Sequence, residues 1–219
     1  MFTTSEEDHL KAIFKIAEKE KKAVSTNAIA AYMNTAPASV TDMLKKLADK
    51  DLIIYQKYRG VSLSPAGSKV AIQLIRKHRL WEVFLVDKLH FSWEEVHEVA
   101  EQLEHINSED LVSKLEKFLE YPKFDPHGDP IPSADGKFTL RSQWSVAELL
   151  VGQTGIILGV KENDKNFLLY LNDLKIRLGT SIKVLQKNHY DQATRILIDG
   201  RFDHLITKQV AQQLLVKKS

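Results

Sequence analysis

The chain has 219 residues, of which 43% are hydrophobic and 27% are charged, a balance typical of globular domains rather than of disordered segments. It contains no cysteine, which excludes disulfides and thiolate chemistry, so any metal must be bound through nitrogen and oxygen. The N-terminus carries acidic residues where a secretory signal carries basic ones, and no run of about 18 apolar residues occurs. We therefore expect a soluble cytoplasmic protein without membrane contacts.

The net charge of +2 is distributed unevenly along the chain. Residues 1–72 include 11 basic and 8 acidic residues, residues 73–128 include 7 and 12, and residues 129–219 include 13 and 9. An acidic middle therefore separates two basic ends. The basic ends favour nucleic acid as a partner, and the acidic middle favours cations.

The first 65 residues follow the pattern of a winged helix-turn-helix. Apolar residues at helical spacing predict three helices, over residues 6–19, 25–33 and 37–50. Ser5 is the expected N-cap of the first helix, Ser25 or Thr26 that of the second, and Pro37 suits the first turn of the third. Residues 52–58 and 61–63 are rich in β-forming side chains on either side of a Gly60 turn, which predicts a hairpin wing.

The third helix is the candidate for reading DNA in the major groove. Its first residues would reach base edges, while later lysines and the wing would contact phosphate. The predicted DNA-binding residues are Pro37, Ala38, Ser39, Thr41, Asp42, Lys45, Lys46, Lys57 and Arg59. The alternative is a solvated helical hairpin of the kind found in protein-interaction domains.

The acidic middle contains a possible metal site. Helices are predicted over residues 64–85, 92–105 and 108–119, and they would form a helical dimerisation unit. His97, Glu101, Glu104 and His105 fall on one face of the second of these helices. His78 and Glu82, one turn apart on the preceding helix, are natural partners. The alternative is a solvated acidic face with incidental histidines.

The last third of the chain changes to β-type patterning. Residues 121–138 contain four of the six prolines and predict a linker. Short strands are predicted over residues 154–160, 182–186 and 196–198, with a helix over 167–174 and a hairpin at Asp199-Gly200. The sequence thus predicts a mainly α fold with small β parts: a winged helix-turn-helix (1–72), a helical metal-binding and dimerisation domain with linker (73–140) and an SH3-like β-barrel (141–219).

Together these segments resemble the diphtheria toxin repressor and manganese transport regulator family of iron- and manganese-dependent repressors. The resemblance covers nearly the whole chain and is carried by ASVTDMLKKLADKDLI with YQKYRGVSLSPAG, RKHRLWEVFL, VHEVAEQLEH and PHGDPIP. The run LNDLKIRLG resembles the SH3-like domain that also occurs in iron-uptake accessory proteins. The resemblance implies a non-enzymatic repressor of metal-uptake genes that binds pseudo-palindromic double-stranded operator DNA as a homodimer.

The family pattern implies a primary metal site formed by Asp8, His78, Glu101, Glu104 and His105. Iron-tuned members tend to have methionine at the position of Asp8 and cysteine at that of Glu101. Both departures place hard carboxylates where softer ligands occur, which favours Mn²⁺, with Fe²⁺ and other divalent transition metals as alternatives. Lys11 stands where some manganese-responsive members have an acidic residue, which argues against a two-metal cluster.

The resemblance also implies a secondary metal site. It would use Glu82, His97, Asp125 and His127, with Glu162 or Asp164 as the carboxylate from the last domain. For Asp125 and His127 the alternative is an ordinary role in a turn.

The resemblance implies a mechanism in which metal controls DNA binding. Asp8, Glu101 and Glu104 are expected to repel one another without metal, and a divalent cation would reverse this repulsion. Binding would fix the angle between the DNA-binding and dimerisation parts, with paired recognition helices about 34 Å apart. The alternatives are a winged-helix regulator with an organic effector and, less favoured because no nucleophile or general acid is visible, a metal-dependent hydrolase.

Overall fold

The computed structural model describes residues 2–56 and 60–218. Within them the α-helices are Thr4–Glu20 (α1), Thr26–Tyr32 (α2), Pro37–Asp49 (α3), Pro65–Leu89 (α4), Val96–Leu103 (α5), Glu109–Phe118 (α6), Lys165–Asp173 (α7) and Lys208–Gln213 (α8). The strands are Ile53–Gln56 (β1), Gly60–Leu63 (β2), Trp144–Ser145 (β3), Thr154–Val160 (β4), Ser181–Lys187 (β5), Thr194–Ile198 (β6), Phe202–Ile206 (β7) and Leu214–Lys218 (β8). These elements confirm a mainly α fold with small β parts.

The chain divides into two compact units. The first unit comprises Met1–His78, Glu101–Val112 and Pro132–Phe138. The second unit comprises Arg79–Ala100, Ser113–Ile131 and Thr139–Ser219. No helix in the described ranges is both long enough and apolar enough to cross a membrane.

Helix α1 begins at Thr4 because Thr3, just before it, and Glu6, in its first turn, form a capping box. The Thr3 hydroxyl accepts a hydrogen bond from the Glu6 backbone nitrogen at 3.3 Å, and the Glu6 carboxylate accepts one from the Thr3 nitrogen at 3.1 Å. The prediction that Ser5 caps this helix was wrong, since Ser5 lies inside its first turn. The other Glu6 oxygen accepts a hydrogen bond from Lys50 at 2.6 Å, which ties α1 to the end of α3.

Helices α2 and α3 form the predicted helix-turn-helix, followed by the predicted wing. The Ser25 hydroxyl caps α2 by accepting from the Ala28 nitrogen at 3.1 Å, and Pro37 opens α3. Strands β1 and β2 pair antiparallel, with Ile53 opposite Leu63. The apolar faces of these elements meet in one core, which includes Leu10, Ile13, Ile29, Val40, Leu44, Leu47 and Val61. Burying each of these side chains stabilises the fold by roughly 1.5–3 kcal/mol.

Helices α4 and α5 differ from the predicted limits in ways that affect the candidate site. Helix α4 runs four residues beyond the expected end, and Gly67 in its first turn is required because a Cβ there would lie 1.9 Å from the Leu52 carbonyl oxygen. Helix α5 ends at Leu103, so Glu104 and His105 lie in the turn that follows it rather than on its face.

The second unit contains an antiparallel six-stranded sheet in the order β3-β8-β4-β5-β6-β7. The three predicted strands correspond to β4, β5 and β6, and Asp199 and Gly200 form the predicted hairpin with positive φ values of 49° and 68°. Alternate residues of β5 and β6 point into the core, among them Ile182, Val184 and Ile196. Strands β3, β7 and β8 and helix α8 were not predicted.

The proline-rich segment after α6 is held in place within both units by hydrogen bonds. In the first unit, Arg76 donates to the Pro132 carbonyl oxygen at 2.9 Å. In the second unit, Arg141 donates to the carbonyl oxygens of Gly128 and Leu158 at 2.7 and 2.6 Å, and its guanidinium lies 3.8 Å from the centre of the Phe124 ring. The segment therefore presents its polar side chains in fixed positions.

Candidate metal centres and nucleic-acid interface

The five residues predicted for the primary metal site all lie in the first unit. Asp8 is on α1, His78 on α4 and Glu101 on α5, and Glu104 and His105 occupy the following turn. Asp8, Glu104 and His105 each offer a ligand atom within 4.8 Å of those of the other two. Residues distant in sequence therefore converge on one cluster of two imidazoles and three carboxylates.

Glu104 is the centre of this cluster. It is completely buried, and its Oε2 lies 2.5 Å from Nδ1 of His78. The same carboxylate accepts hydrogen bonds from the Lys11 ammonium at 2.6 and 2.8 Å, and Lys11 also donates to Glu101 at 2.7 Å. A buried carboxylate requires such partners, because burial without them strongly disfavours its charged form.

His105 is oriented by a residue that the sequence analysis missed. Nδ1 of His105 donates a hydrogen bond to Glu7 Oε2 at 2.6 Å, which leaves Nε2 facing the cluster, 3.1 Å from Asp8 Oδ1. A carboxylate that fixes the tautomer of a metal-binding histidine typically has this arrangement. The available signal was the position of Glu7 beside Asp8 on α1, which by itself was not specific.

The electrostatics of the cluster favour a cation. Burial raises the pKa of Asp8, and the nearby charges of Glu104 and Glu101 raise it further, while His105 and Lys11 lower it. Burial is the largest of these causes, and a bound cation would offset it by stabilising the charged carboxylate. The donor set contains nitrogen and carboxylate oxygen without sulfur, so it fits a hard or borderline divalent metal.

A second cluster lies in the second unit and coincides with three of the residues predicted for the secondary site. Glu82, Asp125 and His127 are 2%, 4% and 2% exposed, and their ligand atoms lie within 4.8 Å of one another. Gly159 permits this arrangement, because a Cβ there would lie 2.6 Å from the His127 carbonyl oxygen. The cluster is buried more deeply than a solvated acidic face would be.

His127 presents one ring nitrogen to this cluster. Its Nε2 donates to the Trp93 carbonyl oxygen at 2.7 Å, while the buried Nδ1 lies 3.6 Å from Glu82 Oε2, beyond hydrogen-bond distance. Burial opposes protonation of His127, but Glu82 and Asp125 outweigh it and raise its pKa to about 9. Burial and the charge of Glu82 raise the pKa of Asp125 to about 7. A metal bound at Nδ1 would replace the proton held there.

Asp125 takes part in a turn as well as in the cluster. Its Oδ1 accepts from the backbone nitrogens of His127 and Asp129 at 2.8 and 2.9 Å, while Oδ2 lies 3.5 Å from Arg79. Oδ1 of Asp125 therefore has the ordinary role in a turn that was the alternative to metal binding, whereas Oδ2 faces Arg79.

The remaining predicted ligands of the secondary site differ in their distance from this cluster. His97 Nδ1 lies 3.3 Å from Glu82 Oε1. Glu162 is exposed in the loop after β4, and it is not part of the three-residue cluster found among the described residues. Asp164 instead caps α7 by accepting from the nitrogens of Asn166 and Phe167.

The predicted DNA-contacting residues of α3 share an exposed surface. Those that are exposed are Pro37, Ala38, Ser39, Thr41, Asp42, Lys45 and Lys46. Val40, Leu44 and Leu47 point the opposite way, into the core. The two predicted wing contacts, Lys57 and Arg59, lie outside the described residues.

Three family models match the chain along its length. They are the iron dependent repressor N-terminal DNA binding domain over residues 1–61, the iron dependent repressor metal binding and dimerisation domain over residues 64–133, and the FeoA domain over residues 145–218. The HTH-type transcriptional regulator MntR of Lysinibacillus sphaericus is 35% identical over 133 residues, which span 53% of this chain and 94% of that relative. The chain belongs to the iron-dependent repressor family.

Solved structures in this family agree with the fold over nearly the whole chain. A manganese-dependent transcriptional repressor in complex with manganese superposes with a TM-score of 0.85 at 30% identity, covering 97% of this chain and 99% of the other. ScaR with bound Zn²⁺ superposes with a TM-score of 0.76 at 33% identity, covering 98% and 99%. The resemblance found in the sequence is confirmed, as is the series of DNA-binding, helical dimerisation and SH3-like FeoA domains.

Proposed function

We propose that this iron-dependent repressor family member is a Mn²⁺-responsive repressor of metal-uptake genes, which binds pseudo-palindromic operator DNA as a homodimer. The observation that carries the proposal is the cluster of Asp8, Glu104 and His105, of which Glu104 is fully buried, in the same unit as the exposed face of α3. A metal-responsive regulator requires both features, whereas an organic effector would not require converging carboxylates.

The metal would be held by Asp8, His78, Glu101, Glu104 and His105. When bound, the cation would supply positive charge that neutralises the three carboxylates. Glu7 would keep the Nε2 atom of His105 directed into the site.

Metal binding would be coupled to DNA binding because the metal ligands lie on different helices and turns. Asp8 belongs to α1, whose apolar face packs in the same core as α3, whereas Glu104 and His105 follow α5. The position of α1 against that turn thus depends on the charge balance between Asp8 and its neighbours. Metal and operator would then favour the same arrangement, and each would strengthen binding of the other by linkage.

The types of ligand in the primary site favour manganese. Three carboxylates and two imidazoles without sulfur suit Mn²⁺. The same site should bind Zn²⁺ more tightly in vitro, because affinity for such sites generally rises from Mn²⁺ through Fe²⁺ towards Zn²⁺. The solved relatives include one complex with manganese and one with Zn²⁺.

We also propose a secondary metal site that uses Glu82, His97, Asp125 and His127, with Glu162 as a further ligand. The buried Nδ1 of His127 supports it, because this nitrogen has no hydrogen-bond partner among the described residues and lies 3.6 Å from Glu82 Oε2, so a metal bound there would satisfy both groups. Replacing His127 by Ala should remove the second of two Mn²⁺ equivalents in calorimetric titration and leave the first. Two remaining equivalents would contradict this assignment.

The proposed function can be tested with the full chain and synthetic DNA. Duplexes selected from a random pool in the presence of Mn²⁺ would supply the operator, and fluorescence anisotropy would measure its binding with Mn²⁺ and with EDTA. We expect Mn²⁺ to strengthen operator binding at least about tenfold, within the range usual for allosteric coupling. Glu104→Ala should abolish this response, whereas Glu109→Ala, at an exposed position, should keep it. Equal operator binding with Mn²⁺ and EDTA would overturn the proposal.

A further inference from the structure

A buried lysine lies at the centre of the primary cluster. Lys11 is 4% exposed, and its ammonium nitrogen lies 2.6 and 2.8 Å from the two oxygens of Glu104 and 2.7 Å from Glu101 Oε1. His78 Nδ1 is 3.4 Å away. One ammonium group therefore contacts three of the five residues proposed to bind metal.

The position of Lys11 follows from helix geometry. On α1 it lies three residues after Asp8 and four after Glu7, so the three side chains project from the same face of the helix. A lysine is almost never buried without a charged partner. Here its charge is matched by Glu101 and Glu104. The repulsion between carboxylates that the sequence predicts for the metal-free state is thus reduced by a cation built into the chain.

The Lys11 ammonium lies within hydrogen-bond distance of three oxygens, two of Glu104 and one of Glu101, that a metal bound to both carboxylates would use. Small divalent cations bind carboxylate oxygen at about 2.0–2.2 Å. A metal bound to both Glu101 and Glu104 would therefore overlap the position of the Lys11 ammonium, and the two positive charges would repel each other. The lysine side chain is long and flexible, so it can withdraw without a change in the helix that carries it.

We infer that Lys11 is a tethered cation that competes with the metal for Glu101 and Glu104 and so raises the metal concentration at which the protein responds. The inference rests on the proposed primary site and adds a regulatory residue to it. The apparent dissociation constant equals the intrinsic one divided by the fraction of molecules in which the ligands are available. If Lys11 is withdrawn in about one molecule in a hundred, metal affinity is about 100-fold weaker than the ligands alone would give.

Competition of this kind affects every divalent metal equally. The same ammonium has to leave whichever ion binds, so its removal should change the affinities for Mn²⁺ and Zn²⁺ by the same factor. Lys11 would therefore set the response threshold without changing the order of preference among metals.

The test compares wild-type protein with Lys11→Met, in which a flexible apolar side chain replaces the lysine. Lys19→Met, the same change at an exposed position of α1, is the control. Calorimetric titration of the metal-free full chains with Mn²⁺ and Zn²⁺ gives the dissociation constants. Thermal melting in EDTA gives a second readout. We expect Lys11→Met to bind both metals at least about tenfold more tightly and to melt at a lower temperature without metal. The control should match wild type in both measurements.

The outcomes distinguish this inference from the proposed function. Wild-type protein that binds no Mn²⁺ would overturn the proposed function. Wild-type protein that binds Mn²⁺, together with unchanged or weaker binding by Lys11→Met, would overturn the inference alone. Weaker binding would show that Lys11 supports the site instead of competing for it.

Wild-type protein offers a measurement that does not depend on the variant folding. Amine-reactive labelling followed by mass spectrometry should find Lys11 protected in EDTA and more reactive with Mn²⁺, while exposed Lys19 stays unchanged. Equal protection of Lys11 in both conditions would contradict its displacement.

Discussion

Replacing Glu104 by Gln should destabilise the metal-free protein, and adding Lys11→Met to that variant should restore part of the loss. The Lys11 and Glu104 side chains are 5% and 0% exposed, so removing either charge leaves the other buried. Removing one partner of a buried pair costs about 3–5 kcal/mol. Because Glu101 still accepts from Lys11 at 2.7 Å, we expect about 2–3 kcal/mol for Glu104→Gln.

Lys11→Met alone should also be destabilising, because it leaves two carboxylates close together without their shared cation. The double variant removes one charge of each sign. Its loss of unfolding free energy should therefore be about 2 kcal/mol smaller than the sum of the losses in the two single variants. For a chain of this length each kcal/mol corresponds to about 2–4 °C in Tm, so Glu104→Gln should lower Tm by roughly 4–12 °C.

Urea and thermal unfolding in EDTA of the wild type, the two single variants and the double variant would measure this coupling as a double-mutant cycle. The exposed pair of Lys45 and Asp42, with Nζ and Oδ1 3.1 Å apart and both side chains 71% exposed, is a suitable control. Its coupling should be close to zero, as is usual for exposed pairs. Additive losses for Lys11 and Glu104 would refute the claim that these charges stabilise each other in the metal-free protein.

Three further predictions concern other residues. Glu7→Ala should weaken Mn²⁺ binding about 10- to 100-fold in calorimetry without removing a ligand, and unchanged affinity would show that Glu7 does not orient the site. The hydrogen bond from Lys50 lowers the pKa of Glu6 below 4.5, so this carboxylate stabilises the fold above that pH and loses its effect as the pH falls through its folded-state pKa. Glu6→Gln should therefore cost about 1 kcal/mol in urea unfolding at pH 7 and progressively less under acid; a constant difference would contradict this. Lys46→Ala should reduce the slope of log operator affinity against log salt by about one unit, and an unchanged slope would exclude a phosphate contact.

The elements with strong periodic patterns could be predicted from the sequence. The helix-turn-helix, the described strands of the wing and strands β4 to β6 have regular apolar spacing or a specific turn, and each is where the pattern placed it. Strand β7 has a mixed pattern with exposed Phe202 and Leu205, and β8 begins with three buried residues in succession, so neither shows the alternation of a strand with one face in solvent. Pairing with neighbouring strands fixes these segments, which local sequence does not reveal.

The sequence predicted which residues form the candidate site but not how their side chains contact one another. Spacing placed Glu101, Glu104 and His105 on one helix face, whereas the helix ends at Leu103 and a turn carries the last two. The family resemblance, not the spacing, separated the primary residues from His97. The role of Glu7 and the position of the Lys11 ammonium depend on long-range contacts between α1 and the residues after α5, which no local pattern encodes.

The central claim is that the cluster of Asp8, His78, Glu101, Glu104 and His105 binds Mn²⁺ in exchange for the Lys11 ammonium. Crystals of the full chain grown with Mn²⁺, measured at the manganese absorption edge, would test it directly. We expect an anomalous peak at bonding distance from Glu101 and Glu104, with the Lys11 ammonium moved away from both. Saturating Mn²⁺ with no peak there, and with Lys11 still between the two carboxylates, would contradict it.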